Sequence, residues 1–293
     1  MKAFATYHPA SLFLYFIGAL LLTVLTVHPV AGLSSLVGGV LFFGILNGPK
    51  TVIRNIVYYC FLFLLIAILF PAFSHNGTTP LFFLNDNPVT KEAIFYGIAI
   101  SGMIVAVMFW CKDYSIIMTS DKFIYLFGRI SPKASLYFSM FLRFIPSMKS
   151  QYRQIRGTQK TLGLYSSKSL TDKLFGQVRV FSILLTWSIE NTIEKTSSMR
   201  ARGYGLKGRR CYSIYTFRRR DKALFVFFVA SIFILLLGML AGLFNYWYYP
   251  EITPLPSGVL SVLLYALLIL YALLPFIIEL EENIRWNYLR SKI

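Results

Sequence analysis

The chain has 293 residues, of which 56% are hydrophobic and only 14% are charged, and its mean hydropathy is +0.62. A soluble domain of this length carries about 25% charged residues, so this composition excludes a disordered chain, a coiled coil and an ordinary soluble enzyme. The three cysteines are too few and too scattered for a disulfide framework or a structural zinc site. The composition therefore predicts an all-α integral membrane protein with several crossings.

Stretches without charged residues predict about six membrane-spanning helices, since one crossing needs about 20 mostly apolar residues. Residues 3–49 contain no charged side chain, and His28-Pro29 divides them, because proline cannot continue a helix across that point. We expect the six spans near residues 11–27, 30–47, 54–73, 93–111, 223–250 and 252–278.

The fifth predicted span, residues 223–250, carries two further signals. It ends in the aromatic residues 246–249, which suit the headgroup level of a bilayer. Gly238 and Gly242 form a pair of small residues four positions apart, which favours close packing against a neighbouring helix.

The basic residues orient the chain. Residues 112–221 hold 21 Lys and Arg against 6 Asp and Glu, so this segment has a net charge of +15. Because cytoplasmic loops carry an excess of Lys and Arg, we expect this segment and both termini to face the cytoplasm of a cell-membrane protein. The predicted organisation is a four-helix transmembrane part at 1–111, a cytoplasmic insert at 112–221, and two spans with a short tail at 222–293.

The insert is predicted to contain a short helix near 121–129 and then two long amphipathic helices. The first long helix is expected to begin at Pro132, to bend at Pro146 and to end at Gly163. Apolar side chains recur on it at steps of three and four residues, as on one face of a helix. This stripe consists of Tyr137, Phe141, Phe144, Met148, Tyr152, Ile155 and Leu162. We expect its central members and Pro146 to contact the second helix or a partner.

The second long helix is predicted to begin at Ser169 or Thr171, to run for about 30 residues and to end at Gly203 and Gly205. Residues 180–189 within it are strongly apolar, but ten residues are too few for a seventh span, so we expect them to form a buried or interfacial part of a cytoplasmic helix. The short connection between the two long helices predicts an antiparallel or crossed pair.

Several runs of this sequence resemble the transmembrane T component of energy-coupling factor transporters, a family that includes cobalt and biotin versions. The two most telling runs are LRFIP at residues 142–146 and SMRARGYG at residues 198–205. Similar features are Asp121-Lys122, His8-Pro9 and the basic run at residues 218–221. The resemblance covers nearly the whole chain.

The resemblance implies that the chain is a scaffold and not an enzyme. In that family, two long cytoplasmic coupling helices end in short Arg-Gly motifs, and each motif docks in a groove of one ATP-binding cassette ATPase. The same helices hold a small membrane protein, the S component, which binds the vitamin or metal ion. The implied partners are two ATPase subunits, one S component and membrane lipid, without nucleic acid. ATP would be bound by the ATPases, and this chain would need no cofactor, metal site or catalytic residue.

The resemblance places one ATPase-docking motif at Ala201-Arg202-Gly203 and the other at Thr161-Leu162-Gly163. The second motif departs from the family, because Leu162 stands where an arginine is expected. Lys160 is a candidate replacement, although lysine lacks the planar fork with which arginine grips a carboxylate. A shifted register that uses Arg156-Gly157 also remains open.

Two alternatives stand beside these assignments. A cation followed by glycine at a helix C-terminus, such as Arg202, is also an ordinary helix cap, worth about 0.3–1 kcal/mol. The chain as a whole is alternatively a self-sufficient secondary carrier or channel, which would normally keep charged groups inside its spans. No Asp, Glu, Lys or Arg lies at the centre of a predicted span, and no phosphate-binding Walker A motif is present.

Overall fold

The computed structural model describes residues 3–74, 76–84, 87–128, 131–163, 170–204 and 215–292. The chain divides into two compact units, which we call the membrane unit and the insert unit. The membrane unit comprises Met1–Lys122 and Tyr215–Ile293, and the insert unit comprises Phe123–Ile214. The insert unit falls within the segment 112–221, whose cytoplasmic location remains a prediction.

The described residues are mostly helical, with one small antiparallel hairpin. The elements in chain order are α1 (Pro9–Leu25), α2 (Pro29–Asn47), α3 (Pro49–Phe73), β1 (Pro80–Leu84), β2 (Asn87–Thr90), α4 (Lys91–Ile117), α5 (Ser120–Gly128), α6 (Pro132–Thr161), α7 (Leu170–Ala201), α8 (Arg219–Leu240) and α9 (Val259–Arg290).

Five helices, α2, α3, α4, α8 and α9, are long and apolar enough to cross a membrane, which confirms a mainly helical, multi-pass membrane protein. The remaining apolar helix of the membrane unit, α1, has 17 residues and is shorter than the other five. A sixth crossing by α1 therefore remains a prediction.

Histidine-proline pairs start the first two helices in the same way. Pro9 and Pro29 are the first residues of α1 and α2, where the missing proline N–H would have no helical partner anyway. Nδ1 of the preceding residue, His8 or His28, accepts a hydrogen bond from the backbone N–H two residues later, at 3.2 Å and 3.3 Å respectively. The predicted break at His28-Pro29 is confirmed.

The hairpin of β1 and β2 between α3 and α4 is an element that the sequence analysis does not predict. Its two strands are antiparallel, and Phe83 pairs with Pro88. Beside it, Glu92 of α4 accepts a hydrogen bond of 2.7 Å from the hydroxyl of Thr79. The apolar residues of β1 belong to the uncharged stretch before α4. Their hydropathy alone therefore does not distinguish this strand from part of a membrane-spanning helix.

Helix α8 ends at Leu240, well before the predicted end of the fifth span. Gly242 has a φ of +76°, and its N–H donates to the carbonyl of Met239 at 3.0 Å. The following N–H donates to the carbonyl of Gly238, also at 3.0 Å, which completes a Schellman cap. Gly242 therefore ends the helix, whereas Gly238 is the packing glycine: a Cβ there would lie 2.6 Å from Leu264 of α9.

The core of the membrane unit is built from aromatic rings and one very close helix contact. The rings of Tyr15 and Tyr271 are stacked with their centroids 5.1 Å apart, and the Tyr271 hydroxyl donates to the carbonyl of Tyr15 at 2.9 Å. Helix α2 approaches α9 at Gly38, where a Cβ would lie 2.6 Å from the carbonyl oxygen of Ala272. Glycine is required here because any side chain would separate the two helices.

Three side chains, one each from α5, α8 and α9, hold residues 3–8 in place by hydrogen bonds, and we call this arrangement the N-terminal clamp. Glu279 of α9 accepts two backbone N–H groups at the start of the segment, at 3.0 Å and 2.9 Å. Asp221 of α8 accepts the N–H of His8 at 3.4 Å. Nζ of Lys122 donates to a backbone carbonyl of the segment at 2.7 Å. Both carboxylates are 2% exposed, so their hydrogen bonds replace those that water would make.

Replacing Glu279 with glutamine tests the clamp. Glutamine keeps one acceptor oxygen and directs an NH2 group at a backbone N–H, so Glu279→Gln should lower the free energy of unfolding by roughly 1.5–3 kcal/mol. The matched control is Glu281→Gln on the same helix, whose side chain is exposed. Thermal unfolding in detergent measures both, and equal unfolding temperatures would contradict the clamp.

Candidate functional site

The insert unit contains two long helices, α6 with 30 residues and α7 with 32. The ring of Phe144 on α6 is nearly parallel to that of Trp187 on α7, with centroids 6.1 Å apart. Nζ of Lys195 lies 5.1 Å from the centroid of the same Phe144 ring. Ile155 and Val180 are buried, at 9% and 2% exposure. Aromatic and cationic contacts therefore join the two helices.

The predicted apolar stripe on α6 is divided between packing and exposure. Phe144 and Met148 are half-buried, and Ile155 is buried. The other candidate contacts on this helix are exposed, namely Tyr137, Phe141, Pro146, Tyr152 and, just beyond its end, Leu162. One part of the stripe therefore packs within the unit, and the other part remains uncovered.

Helix α7 exposes a second apolar stripe that the sequence analysis does not identify. Its members follow one another at steps of three and four residues, so they lie on one face of the helix. Phe175, next to this stripe, is 71% exposed. Exposed apolar patches of this kind mark surfaces that bind proteins or membranes. The stripe consists of Leu174, Val178, Phe181, Leu185, Ile189 and Ile193.

A Schellman cap ends α7 and places Arg202 at the C-cap position. Gly203 has a φ of +74°, and its N–H donates to the carbonyl of Arg200 at 2.9 Å. The N–H of Tyr204 donates to the carbonyl of Met199 at 3.1 Å. Glycine suits this left-handed conformation because it has no Cβ. The cap therefore fixes the backbone from which the exposed Arg202 side chain extends.

The end of α6 repeats this turn, with Leu162 in the position of Arg202. Gly163 also has a φ of +74°, and its N–H donates to the carbonyl of Lys160 at 3.1 Å. The N–H of Leu162 donates to the carbonyl of Thr158 at 3.1 Å. Leu162 is 70% exposed. One helix thus presents an arginine, and the other a leucine, from the same backbone geometry.

Only one of the two registers considered for the motif at Thr161-Leu162-Gly163 coincides with a helix end. Gly157 lies inside α6 and is not among the glycines with positive φ, so Arg156-Gly157 does not form a helix end. The end lies at Gly163. The predicted helix limits Ser169 and Gly205 lie outside the described residues.

The points where the chain leaves and re-enters the membrane unit lie at the N-terminal clamp, which the sequence analysis does not predict. The chain leaves after Lys122, and burial lowers the pKa of its amino group. It returns at Tyr215, and shortly afterwards the ring of Phe217 lies 4.0 Å from that of His8. In the sequence, the pairs His8-Pro9 and Asp121-Lys122 were the signals of this arrangement. Only the fold shows that the two pairs lie close together.

A buried carboxyl group lies near the end of α4. Asp113 is 0% exposed, and neither of its carboxyl oxygens has a hydrogen-bond partner among the described residues. The sequence analysis assigns Asp113 to the cytoplasmic insert, whereas the structure places it in α4 of the membrane unit. Burial of a carboxyl group without a hydrogen-bond partner is energetically unfavourable, so this position is unusual within the core of the membrane unit.

No protein-family model and no curated protein matches this sequence. Within the described parts of the chain, no group of three His, Cys, Asp or Glu side chains is arranged to hold a metal ion. The helix ends at Gly163 and Gly203 and the exposed apolar stripes on α6 and α7 are the features of the insert unit that bear on function.

Replacing Gly203 with alanine tests the cap that presents Arg202. Alanine at positive φ costs about 1–2 kcal/mol, so Gly203→Ala should loosen the end of α7 and speed hydrogen exchange of the Tyr204 amide. The control is Gly157→Ala inside α6, where a Cβ meets no atom within 4 Å. This control should stabilise α6 by roughly 1 kcal/mol. Unchanged exchange in Gly203→Ala would contradict the cap.

Proposed function

We propose that this chain is the transmembrane scaffold subunit of an ATP-driven importer of the energy-coupling factor type. It transmits the movement of ATPase subunits through α6 and α7 to a substrate-binding membrane partner. The observation that carries this proposal is the pair of equivalent helix ends, at Gly163 and Gly203, which share a φ of +74°. Two equivalent ends suit two ATPase subunits, one at each end.

The two ends call for different grooves on the ATPases. The guanidinium of Arg202 suits a groove with a carboxylate, because its planar fork can donate two parallel hydrogen bonds. The exposed Leu162 suits an apolar groove. Lys160, in the last turn of α6, supplies a cation beside this groove but not the planar fork. The docking set is therefore Ala201, Arg202 and Gly203 at one end and Lys160, Thr161, Leu162 and Gly163 at the other.

The uncovered apolar surface suits the third partner. The α7 stripe and the exposed part of the α6 stripe, which includes Phe141 and Tyr152, offer a hydrophobic face to a small substrate-binding membrane protein. In this proposal that protein binds the vitamin or metal ion, so the partner determines the transported substrate. The chain itself is not an enzyme, and ATP is bound by the ATPases.

The proposed location is the cell membrane, with both termini and residues 112–221 in the cytoplasm. This orientation places the most basic segment of the chain beside the inner leaflet. Lys and Arg side chains near anionic lipid contribute about 1 kcal/mol each to membrane binding. We assign part of this positive charge to lipid contact and none of it to nucleic acid.

The alternative function is a self-sufficient secondary carrier, and Asp113 is the observation that favours it. Ionisable side chains buried in membrane helices commonly belong to ion or proton pathways. Asp113 lies close to the end of α4 and not at its centre. The scaffold proposal accounts for the helix ends and the exposed stripes, which a single-chain carrier does not need.

Substitution of Arg202 tests the docking assignment. Arg202→Ala should leave a carboxylate of the ATPase unpaired at a desolvated interface and weaken binding by roughly 2–5 kcal/mol. Arg202→Lys should restore part of the affinity, because lysine keeps the charge and loses the fork. The loss should be larger at low salt than at high salt. Pull-down of the ATPases across a salt series measures this effect.

Two controls distinguish docking from helix capping. Arg200→Ala removes the same charge two residues earlier and should bind the ATPases nearly as well as the wild type. Leu162→Ala should weaken binding independently of salt, because it removes only apolar contact. Wild-type binding by Arg202→Ala at every salt concentration would show that Arg202 only caps α7.

A further inference from the structure

A cavity of about 380 Å³ lies beside the turn that joins α1 to α2. This volume is within the range of about 300–1,000 Å³ that is usual for ligand pockets. Its walls come from α2, α3, α4 and the segment between α8 and α9, all in the membrane unit. Apolar side chains predominate, among them Leu36, Phe63 and Met103. No Asp, Glu, Lys or Arg is among its lining residues in the described part of the chain, which favours an uncharged occupant.

Two glycines keep this cavity open without serving helix packing. A Cβ at Gly32 would meet no atom within 4 Å, and a Cβ at Gly102 would only touch the ring of Phe63 at 3.9 Å. Gly38 differs, since a Cβ there would lie 2.6 Å from a backbone carbonyl of α9. Glycine is a poor helix former, and close packing does not require it at Gly32 or Gly102. Both positions therefore leave open volume in the cavity wall.

Residues with uncharged polar groups also line the cavity. Tyr248 is 6% exposed, and its hydroxyl has no hydrogen-bond partner among the described residues. Nδ1 of His28 accepts the N–H of Val30, so its Nε2 carries the hydrogen and donates to Tyr265 at 3.2 Å. Burial lowers the pKa of His28, which keeps the ring neutral. The Tyr248 hydroxyl is fully buried and does not reach the cavity surface, so this residue contributes the apolar part of its ring to the wall.

The cavity borders the surface that faces the bilayer. Its lining residues Leu33 on α2 and Phe95 and Ile98 on α4 are 66%, 48% and 44% exposed, and both helices are membrane spans. The aromatic residues 246–249 suit the headgroup level, where the ester carbonyls of lipids lie. An occupant can therefore enter sideways from the bilayer.

We propose that this cavity binds one acyl chain of a bilayer phospholipid. The apolar lining matches the chain, and the absence of lining charges matches its neutrality. The site does not involve the helix ends at Arg202 and Leu162. Lipid binding in this cavity and the scaffold function are therefore tested separately.

The test uses the full chain in nanodiscs of phosphatidylcholine that carries a photoreactive diazirine in the middle of one acyl chain. After illumination, mass spectrometry of the peptides locates the labelled residues. We expect strong labelling of the cavity residues around Met103. The reference level is the labelling of a residue on the exposed face of α3, such as Phe61.

Three variants distinguish a bound chain from surface lipid. Gly32→Leu combined with Gly102→Leu fills the cavity with good helix formers and should reduce cavity labelling to the reference level. Ala99→Leu adds bulk at a single lining position of α4 with a good helix former and should reduce cavity labelling by a smaller factor. Gly44→Leu is the control, because Gly44 does not line the cavity and a Cβ there lies 3.6 Å from Val52. It should label like the wild type.

Equal cavity labelling of the wild type and the filled variant would overturn the proposal, as would wild-type label confined to exposed faces. Thermal unfolding verifies that the filled variant is folded. If that variant does not fold, Ala99→Leu decides, and unchanged cavity labelling in Ala99→Leu overturns the proposal.

Discussion

Hydrogen bonds from the backbone of residues 3–8 to two buried carboxylates, Glu279 and Asp221, hold the N-terminal segment where the chain leaves and re-enters the membrane unit. Lys122 adds a third attachment at the exit point. Because these partners belong to α5, α8 and α9, the clamp joins elements that are distant in sequence. The residues at which the chain leaves and re-enters the membrane unit, Lys122 and those around Phe217, therefore both contact this clamped segment.

A second structural constraint lies at the C-terminal ends of the two long helices, α6 and α7. Left-handed glycines after α6 and α7 end both helices with the same turn and set the backbone direction of Leu162 and Arg202. The exposed stripes on these helices are apolar surface that water alone would not favour. A rigid helix pair with two matched ends and uncovered apolar faces suits a subunit that works by holding other proteins.

Local signals in the sequence predict much of this architecture. Proline at positions 29 and 132 starts helices as expected, and α6 ends at the predicted Gly163. The early end of α8 at Gly242 is not predicted, because the residues around it are also apolar. The hydropathy of the sequence therefore does not change where the helix ends. The burial of Asp113 and the clamp depend on which helices become neighbours, which spacing along the chain does not specify. The docking role of Arg202 rests on resemblance, and the structure adds its geometry.

Isolation of the chain from its native membrane in mild detergent tests the central claim most directly. The scaffold account predicts that two ATP-binding cassette ATPase subunits and one small hydrophobic membrane protein are recovered with it, and that ATP-dependent uptake requires all of them. The contradicting result is recovery of the chain alone together with substrate uptake by that single chain in liposomes without ATP. Loss of such uptake in Asp113→Asn would then establish the carrier.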